Sequence, residues 1–272
     1  MKIQNHWLEA DSGESGIGRR DTPNKGGIIV PKYLVFHFTA GRSAQSSLDW
    51  LCNPEAKSSA HLVVGKDGSI TQLAPFNIKT WHAGTSHWGG LSGLNSYAIG
   101  IEMDNAGKLT RVGTQYRAWF GAVYPESEVV QAKHKNEPDV GFWHAYTEAQ
   151  IERATELTKL LTRAYSLVDV IGHEDIAPGR KNDPGPAFPL ANLRAAALGR
   201  LEEEEELYQV TIDGLNIRKG PGMQFDPVSP GFVLTRGTKL RLLEQRERWS
   251  RVDVDGPNDL EGWVASKHIE KV

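Results

Sequence analysis

Residues 26–38, GGIIVPKYLVFHF, form an apolar run rich in β-branched and aromatic side chains, opened by Gly-Gly and interrupted by Pro31, which predicts a buried strand. Period-two alternation in YLVFHF puts Tyr33, Val35 and His37 on one face. His37 then sits near the C-terminal end of the strand, where α/β sheets present ligands. SAQSSLDWLCN, 43–53, reads as a short helix stopped by Pro54. AHLVVGKDGSITQLAP, 60–75, reads as two strands around a Lys66-Asp67-Gly68 turn, where glycine tolerates positive φ. SYAIGIEMDN, 96–105, predicts another buried strand, with Gly100 and Glu102 on one face and Ile99, Ile101 and Met103 on the other. Residues 106–142 show weak periodicity and are expected to form an irregular insertion contributing to a cleft. The strongest helical pattern is TEAQIERATELTKLLTRAY, 147–165. Thr147 and Gln150 make a capping box there, and Ile151, Ala154, Thr158, Leu161 and Tyr165 make an apolar stripe. LVDVIGH then returns as a strand that delivers His173.

Beyond residue 195 the composition changes. Five consecutive glutamates, Glu202–Glu206, mark a solvated linker over 196–207 between a large domain, 1–195, and a small one, 208–272. From Tyr208 onward, short strand-like segments alternate with Gly-, Pro- and Asp-rich turns, the pattern of a small all-β barrel. A formal net charge of -3 provides no global basic field, so nucleic acid is not expected as a partner. Cys52 is the single cysteine, so no intrachain disulfide can form and a cysteine-based zinc knuckle is excluded. The first thirty residues carry no signal-peptide pattern, and no run approaches the ~18 apolar residues of a membrane span. The expectation is a monomer made in the cytoplasm without a Sec signal.

Nine histidines are present, and His37 alone is as well explained by a hydrogen-bonded structural role. The combination is more telling. His37 and His173 each stand at a strand end, and Asp183 lies ten residues after the second, in the segment GHEDIAPGRKNDPGPAF, 172–188. Hydrolytic zinc takes three N or O ligands and leaves a fourth position for water, whose pKa falls to ~7. His37, His173 and Asp183 would supply that set, with Pro178, Pro184 and Pro186 stiffening the loop. Lys181 can face the same pocket and suits a developing oxyanion. Glu102, on a buried strand, is either paired with an arginine or backbone donors or kept for proton transfer. GHEDIA is not the HExxH motif, because position 177 is alanine.

In this order, YLVFHFTAG, SSAHLVVGKDGSITQLAP, TWHAG, YAIGIEMDNAG, YTEAQIERATEL and GHEDIAPGRKNDPGPAF resemble the zinc-dependent N-acetylmuramoyl-L-alanine amidases of the amidase-2 type, relatives of peptidoglycan recognition proteins. The resemblance spans roughly 30–195. It implies an α/β fold with a central mixed β-sheet flanked by helices, and cleavage of the amide between N-acetylmuramic acid and L-alanine of the stem peptide. It further implies Zn2+ on His37, His173 and Asp183, with Glu102 and Lys181 as catalytic residues. His61 and His82 match positions with groove or supporting roles, with a core histidine satisfied by backbone as the alternative, and Trp81, Trp88 and Trp119 could stack on sugar or line the core; His61, Trp81 and His82 are the residues expected to contact substrate. The segment LNIRKGPG, with W-x-x-V and GWV after it, resembles bacterial SH3-like domains, many of which bind cell-wall polymers; Trp249 and Trp263 are read as core residues. The implied partner is peptidoglycan or a muropeptide. The implied setting is the cell wall after release or export, or cytoplasmic muropeptide recycling. The alternative is a non-catalytic peptidoglycan-binding protein with a structural zinc site.

Overall fold

A computed structural model of the chain describes residues 1–12, 16–198, 207–254 and 260–272. The chain divides into two compact units, Met1–Arg200 and Leu201–Val272. The glutamate run expected as a linker lies outside the described residues.

The first unit is built on a six-stranded mixed sheet. Its strands are β1 (Ile17–Arg19), β2 (Tyr33–Phe38), β3 (Leu62–Val64), β4 (Ile70–Gln72), β5 (Ala98–Met103) and β11 (Asp169–Gly172), in the spatial order β11-β2-β5-β3-β4-β1. Strands β11, β2, β5 and β3 run parallel, and β4 turns back antiparallel from β3 through Gly68, whose φ is +78°. Alternation along the strands feeds two cores. Leu34, Phe36, Ile99, Ile101 and Met103 pack on one face with Ala154, Leu157 and Leu161 of helix α2 (Glu148–Tyr165) and Leu193 of α4 (Leu190–Leu198). Tyr33, Val35, Ala98 and Ile171 point to the other face. There helix α1 (Ala44–Leu51) also docks, placing Leu48 and Leu51 on Val63 and Leu73.

Two sequence expectations are corrected. The run 26–38 is not one buried strand: Lys25–Ile28 pairs outside the central sheet with Ile78–Thr80, Ile28 and Val30 are 79% and 78% exposed, and only Tyr33–Phe38 joins the central sheet. Pro31, which has no N–H for a ladder, separates the two. Nor is 106–142 irregular. Strands β6 (Lys108–Val112), β7 (Gln115–Arg117), β8 (Val123–Tyr124), β9 (Val129–Lys133) and β10 (Val140–His144) form an antiparallel sheet ordered β8-β7-β6-β10-β9. These strands are short and largely solvated, and their small core of Ala106, Leu109, Tyr116 and Ala118 leaves little alternation to read.

The second unit is a five-stranded antiparallel sheet of β12 (Leu207–Val210), β13 (Lys239–Arg246), β14 (Trp249–Val254), β15 (Leu260–Ala265) and β16 (Ile269–Lys271), ordered β15-β14-β13-β12-β16. Leu215 and Ile217 of the LNIR segment join Val210, Leu234, Leu240, Val252 and Val264 in its core. Arg218 exchanges backbone hydrogen bonds with Trp263, which is 7% exposed, while Trp249 is half-buried.

Helix α2 starts as its capping box requires: the Thr147 hydroxyl accepts from the Gln150 amide and also donates to the Lys66 carbonyl at 2.6 Å. Thr147→Ala removes both bonds and should lower the unfolding free energy of the first unit by about 1–2 kcal/mol. Chemical denaturation of the variant against the parent chain reads this directly.

Candidate metal and catalytic site

Sheet register brings the candidate residues together. Glu102 is the register partner of His37 across β5 and β2, and Gly172 that of Phe36 across β11 and β2, so His173 follows beside His37. Neighbouring strands lie about 4.8 Å apart. Three adjacent parallel strands therefore deliver Glu102, His37 and His173 in a row at their C-terminal ends. Asp183 reaches the row because the loop after α3 (His173–Ile176) folds back. The Glu174 amide donates to the Asp183 carbonyl at 2.8 Å, and a Cβ on Gly172 would stand 2.7 Å from Pro184 Cδ, so a side chain there would push the returning limb away.

His37 Nδ1, His173 Nδ1 and Asp183 Oδ2 converge at 2.9–3.0 Å from one another. Their partners assign the tautomers. His173 Nε2 faces the Ala83 carbonyl at 3.1 Å and must donate, which leaves Nδ1 a bare acceptor. His82 Nε2 donates to the Ala98 carbonyl, so its Nδ1 accepts from His37 Nε2 at 3.0 Å, and His37 Nδ1 is likewise bare. Three acceptors this close repel one another unless a cation sits among them. Zinc–nitrogen bonds of about 2.0–2.1 Å in a tetrahedral arrangement place donor atoms about 3.3 Å apart, close to the observed spacing. The residues present fit a metal ion, and the three are buried.

Electrostatics agree with that use. Burial, reinforced by the neighbouring His173, lowers the His37 pKa to about 4, which keeps the imidazole neutral and its lone pair available. Burial alone would raise Asp183, yet its close contact with His173 and His37 outweighs burial and holds it well below the usual carboxylate range. Glu102 moves the other way: burial and then the Asp183 charge push it up to about 8, opposed by Lys181. Among the described residues none offers Glu102 Oε2 a hydrogen bond, although the atom is buried. The expected alternative, an arginine or backbone partner for that oxygen, is not found there.

Glu102, Lys181 and the three acceptor residues line one cavity of about 730 Å³. Lys181 is exposed on its wall. Trp81 lines it too, as does Trp119, 79% exposed with its indole N–H donating to the Ala40 carbonyl at 2.8 Å. Trp50, Arg42 and Phe120 also line it and escaped the sequence reading, since nothing in α1 or in weakly periodic strands marks a cavity wall. Trp88 lies elsewhere, donating to Asp169. Two expectations of substrate contact change. His61 is fully buried outside the cavity, donating to the Ile78 carbonyl and accepting from Thr80 and the Gly100 amide. His82 borders the cavity, but both its ring nitrogens are engaged, so its geometry is that of a partner orienting His37.

The fold and site thus define an α/β protein with a His-His-Asp centre able to hold a metal ion. Residues 28–186 match the family described as N-acetylmuramoyl-L-alanine amidase and 213–270 the bacterial SH3 domain; the chain belongs to this amidase family, as its motifs suggested. It is 34% identical over 209 residues to the N-acetylmuramoyl-L-alanine amidase AmiD of Escherichia coli (strain K12), covering 71% of this chain and 65% of AmiD. It is 33% identical over 138 residues to the 1,6-anhydro-N-acetylmuramyl-L-alanine amidase AmpD of the same strain, covering 50% of this chain and 56% of AmpD. The chain therefore spans less than two thirds of the length of either relative. A crystal structure of a selenomethionine AmpD derivative superposes with a TM-score of 0.50 at 24% identity, over 72% of this chain and 99% of that one, which supports the mixed-sheet fold.

Two outcomes follow from the geometry. A Cβ on Gly100 would lie 2.5 Å from His82 Cγ, so Gly100→Ala should displace the His82 ring and cost about 1–3 kcal/mol of stability, read by denaturant titration of the metal-free protein. The raised Glu102 pKa makes the folded state bind a proton that the unfolded state has lost between about pH 4.5 and 8, so this group's contribution falls as pH rises through that window. Buried His37 and His61, lowered to about 4, act oppositely but only below pH 6.5. Between pH 7 and 8 the metal-free Glu102→Gln variant should therefore lose less stability than the parent. Parallel slopes in that interval would show that Glu102 is not held protonated.

Proposed function

We propose that the chain is a zinc-dependent N-acetylmuramoyl-L-alanine amidase, hydrolysing the amide between the lactyl group of N-acetylmuramic acid and L-alanine of the stem peptide in peptidoglycan or muropeptides. The observation that carries this reading is the three bare acceptors of His37, His173 and Asp183 opening on the same cavity as the unpartnered Glu102 carboxylate and the Lys181 ammonium.

His37, His173 and Asp183 would hold the zinc, which when bound polarises a carbonyl and lowers the pKa of water. His82 and the Ala83 carbonyl, both from TWHAG, fix the two imidazole rings through their far nitrogens. Glu102 Oε2, buried and without a protein donor, takes a proton from the attacking water as the C–O bond forms. It returns that proton to the α-amino group of L-alanine as the C–N bond breaks. A carboxyl group raised toward 8 suits both halves of this exchange near neutral pH. Lys181 Nζ stabilises the carbonyl oxygen as it becomes anionic. Trp119 and Trp81 supply aromatic wall for the sugar or lactyl portion. The SH3-like unit would engage the wall polymer. No described helix is long and apolar enough to cross a membrane.

Digestion of purified peptidoglycan should release stem peptides beginning at L-alanine, lose that release with chelator and regain it with added zinc. Intact glycopeptides with co-sedimenting protein would instead favour a wall-binding role. Glu102→Ala should lower kcat by about 10²–10⁴-fold, and Lys181→Ala by about 10²–10³-fold. Parent-like turnover in Glu102→Ala would remove it from the mechanism.

A further inference from the structure

The turn between β9 and β10 reads His134-Lys135-Asn136-Glu137, and each of these four residues places a polar group on the segment that carries His173 and Asp183. His134 Nε2 meets Glu174 Oε2 at 2.5 Å. Lys135 Nζ reaches Glu174 Oε1 at 2.8 Å and Asp175 Oδ1 at 2.6 Å. The Asn136 side chain donates to the Glu174 carbonyl at 3.0 Å, and Glu137 accepts from Asn182 at 3.4 Å. Nothing in the proposed hydrolysis uses Glu174, yet it is 5% exposed, and His134 beside it is 1% exposed. A buried carboxylate is costly to leave unpaired, and Glu174 has more partners than pairing alone requires, His134 and the Gly185 amide among them.

The acids so gripped tie the two limbs of the loop together. Glu174 Oε2 accepts from the Gly185 amide at 3.2 Å, and the Glu174 amide donates to the Asp183 carbonyl. Asp175 Oδ2 accepts from the Gly172 amide at 2.7 Å, just before His173. On its opposite side the same insertion holds the loop that follows His37, through Trp119 to the Ala40 carbonyl and Arg42 to the Phe120 carbonyl. The insertion thus spans both segments that supply the convergent acceptors.

We propose that residues 134–137 are a clasp that sets how tightly His173 and Asp183 hold a metal, with His134, Lys135, Asn136 and Glu174 as positioning residues. The inference rests on the reading of His37, His173 and Asp183 as a metal site. Free of the clasp, a loop of this length samples geometries in which the two acceptors do not converge, and metal binding must then order it. Held by the clasp, the acceptors are preorganised.

The test is zinc affinity of the full chain, by competition with a chromophoric chelator, alongside melting of the metal-free protein and a kcat and KM split. Lys135 and Asn136 are exposed, so K135A/N136A should fold. It should bind zinc about tenfold or more weakly, with the metal-free melting temperature unchanged and any loss of activity at limiting zinc recovered at high zinc. Glu174→Gln should act in the same direction, and Lys135→Arg should restore affinity to near parent. Zinc affinity within about twofold of the parent in both K135A/N136A and Glu174→Gln would overturn the clasp, as would a fall in metal-free melting temperature alone. A parent chain that takes up no zinc would overturn the clasp together with the metal site. One that takes up zinc and shows the expected variant order, yet releases no L-alanine peptides, would remove only the amidase reading.

Discussion

Parallel pairing of β5 and β11 on either side of β2 is the constraint on which the site depends. Parallel strands keep their C-terminal ends on one edge of the sheet, so residues far apart in the chain arrive side by side without any loop having to carry them. His37 and His173 are 136 positions apart and Glu102 lies between them in sequence, yet on the sheet His37 is the middle of the three. The same pairing explains the two cores. Each strand sends alternate side chains toward α2 and toward the opposite face, and the site occupies the end of that opposite face.

Given that row, the electrostatic character of the site follows from what surrounds it. His37 and His173 each spend the far nitrogen on TWHAG, through His82 and the Ala83 carbonyl, which leaves the near nitrogens bare and turned toward Asp183. Burial then lowers the pKa of His37 and raises that of Glu102, while close contact with the two histidines holds Asp183 low. Two carboxylates in one cavity are driven in opposite directions by their surroundings, the condition that separates a ligand from a proton carrier.

The insertion after β5 changes the character of the first unit. Instead of an irregular flap it is a sheet with its own small core, and its two ends touch the loops behind His37 and around His173. Trp119 on this sheet forms cavity wall, so the element that shapes the groove is also the one that braces the acceptor loop. The second unit is separately cored, and its tryptophans are spent on packing to different degrees, Trp263 buried and Trp249 half-buried.

Much of this was legible from residue order alone. Period-two alternation identified β2 and β5 and placed His37 with Tyr33 and Val35, and Glu102 with Gly100, because a strand side chain's direction is set by its position in the chain. The 3-and-4 spacing and capping box marked α2, and Gly-Pro punctuation singled out the loop carrying His173, Lys181 and Asp183. All of these signals are local. The burial of His61 away from the cavity, the coupling of His82 to His37, the order of the insertion sheet and the grip of His134 on Glu174 were decided only by tertiary structure. Each depends on which segments meet across the fold: a histidine's role is set by what faces its two nitrogens, and a short solvated strand becomes a strand by its neighbours. The sequence by itself determined which residues could do the chemistry. The packing of the sheet and its insertion decided which of them meet, and in what state of charge.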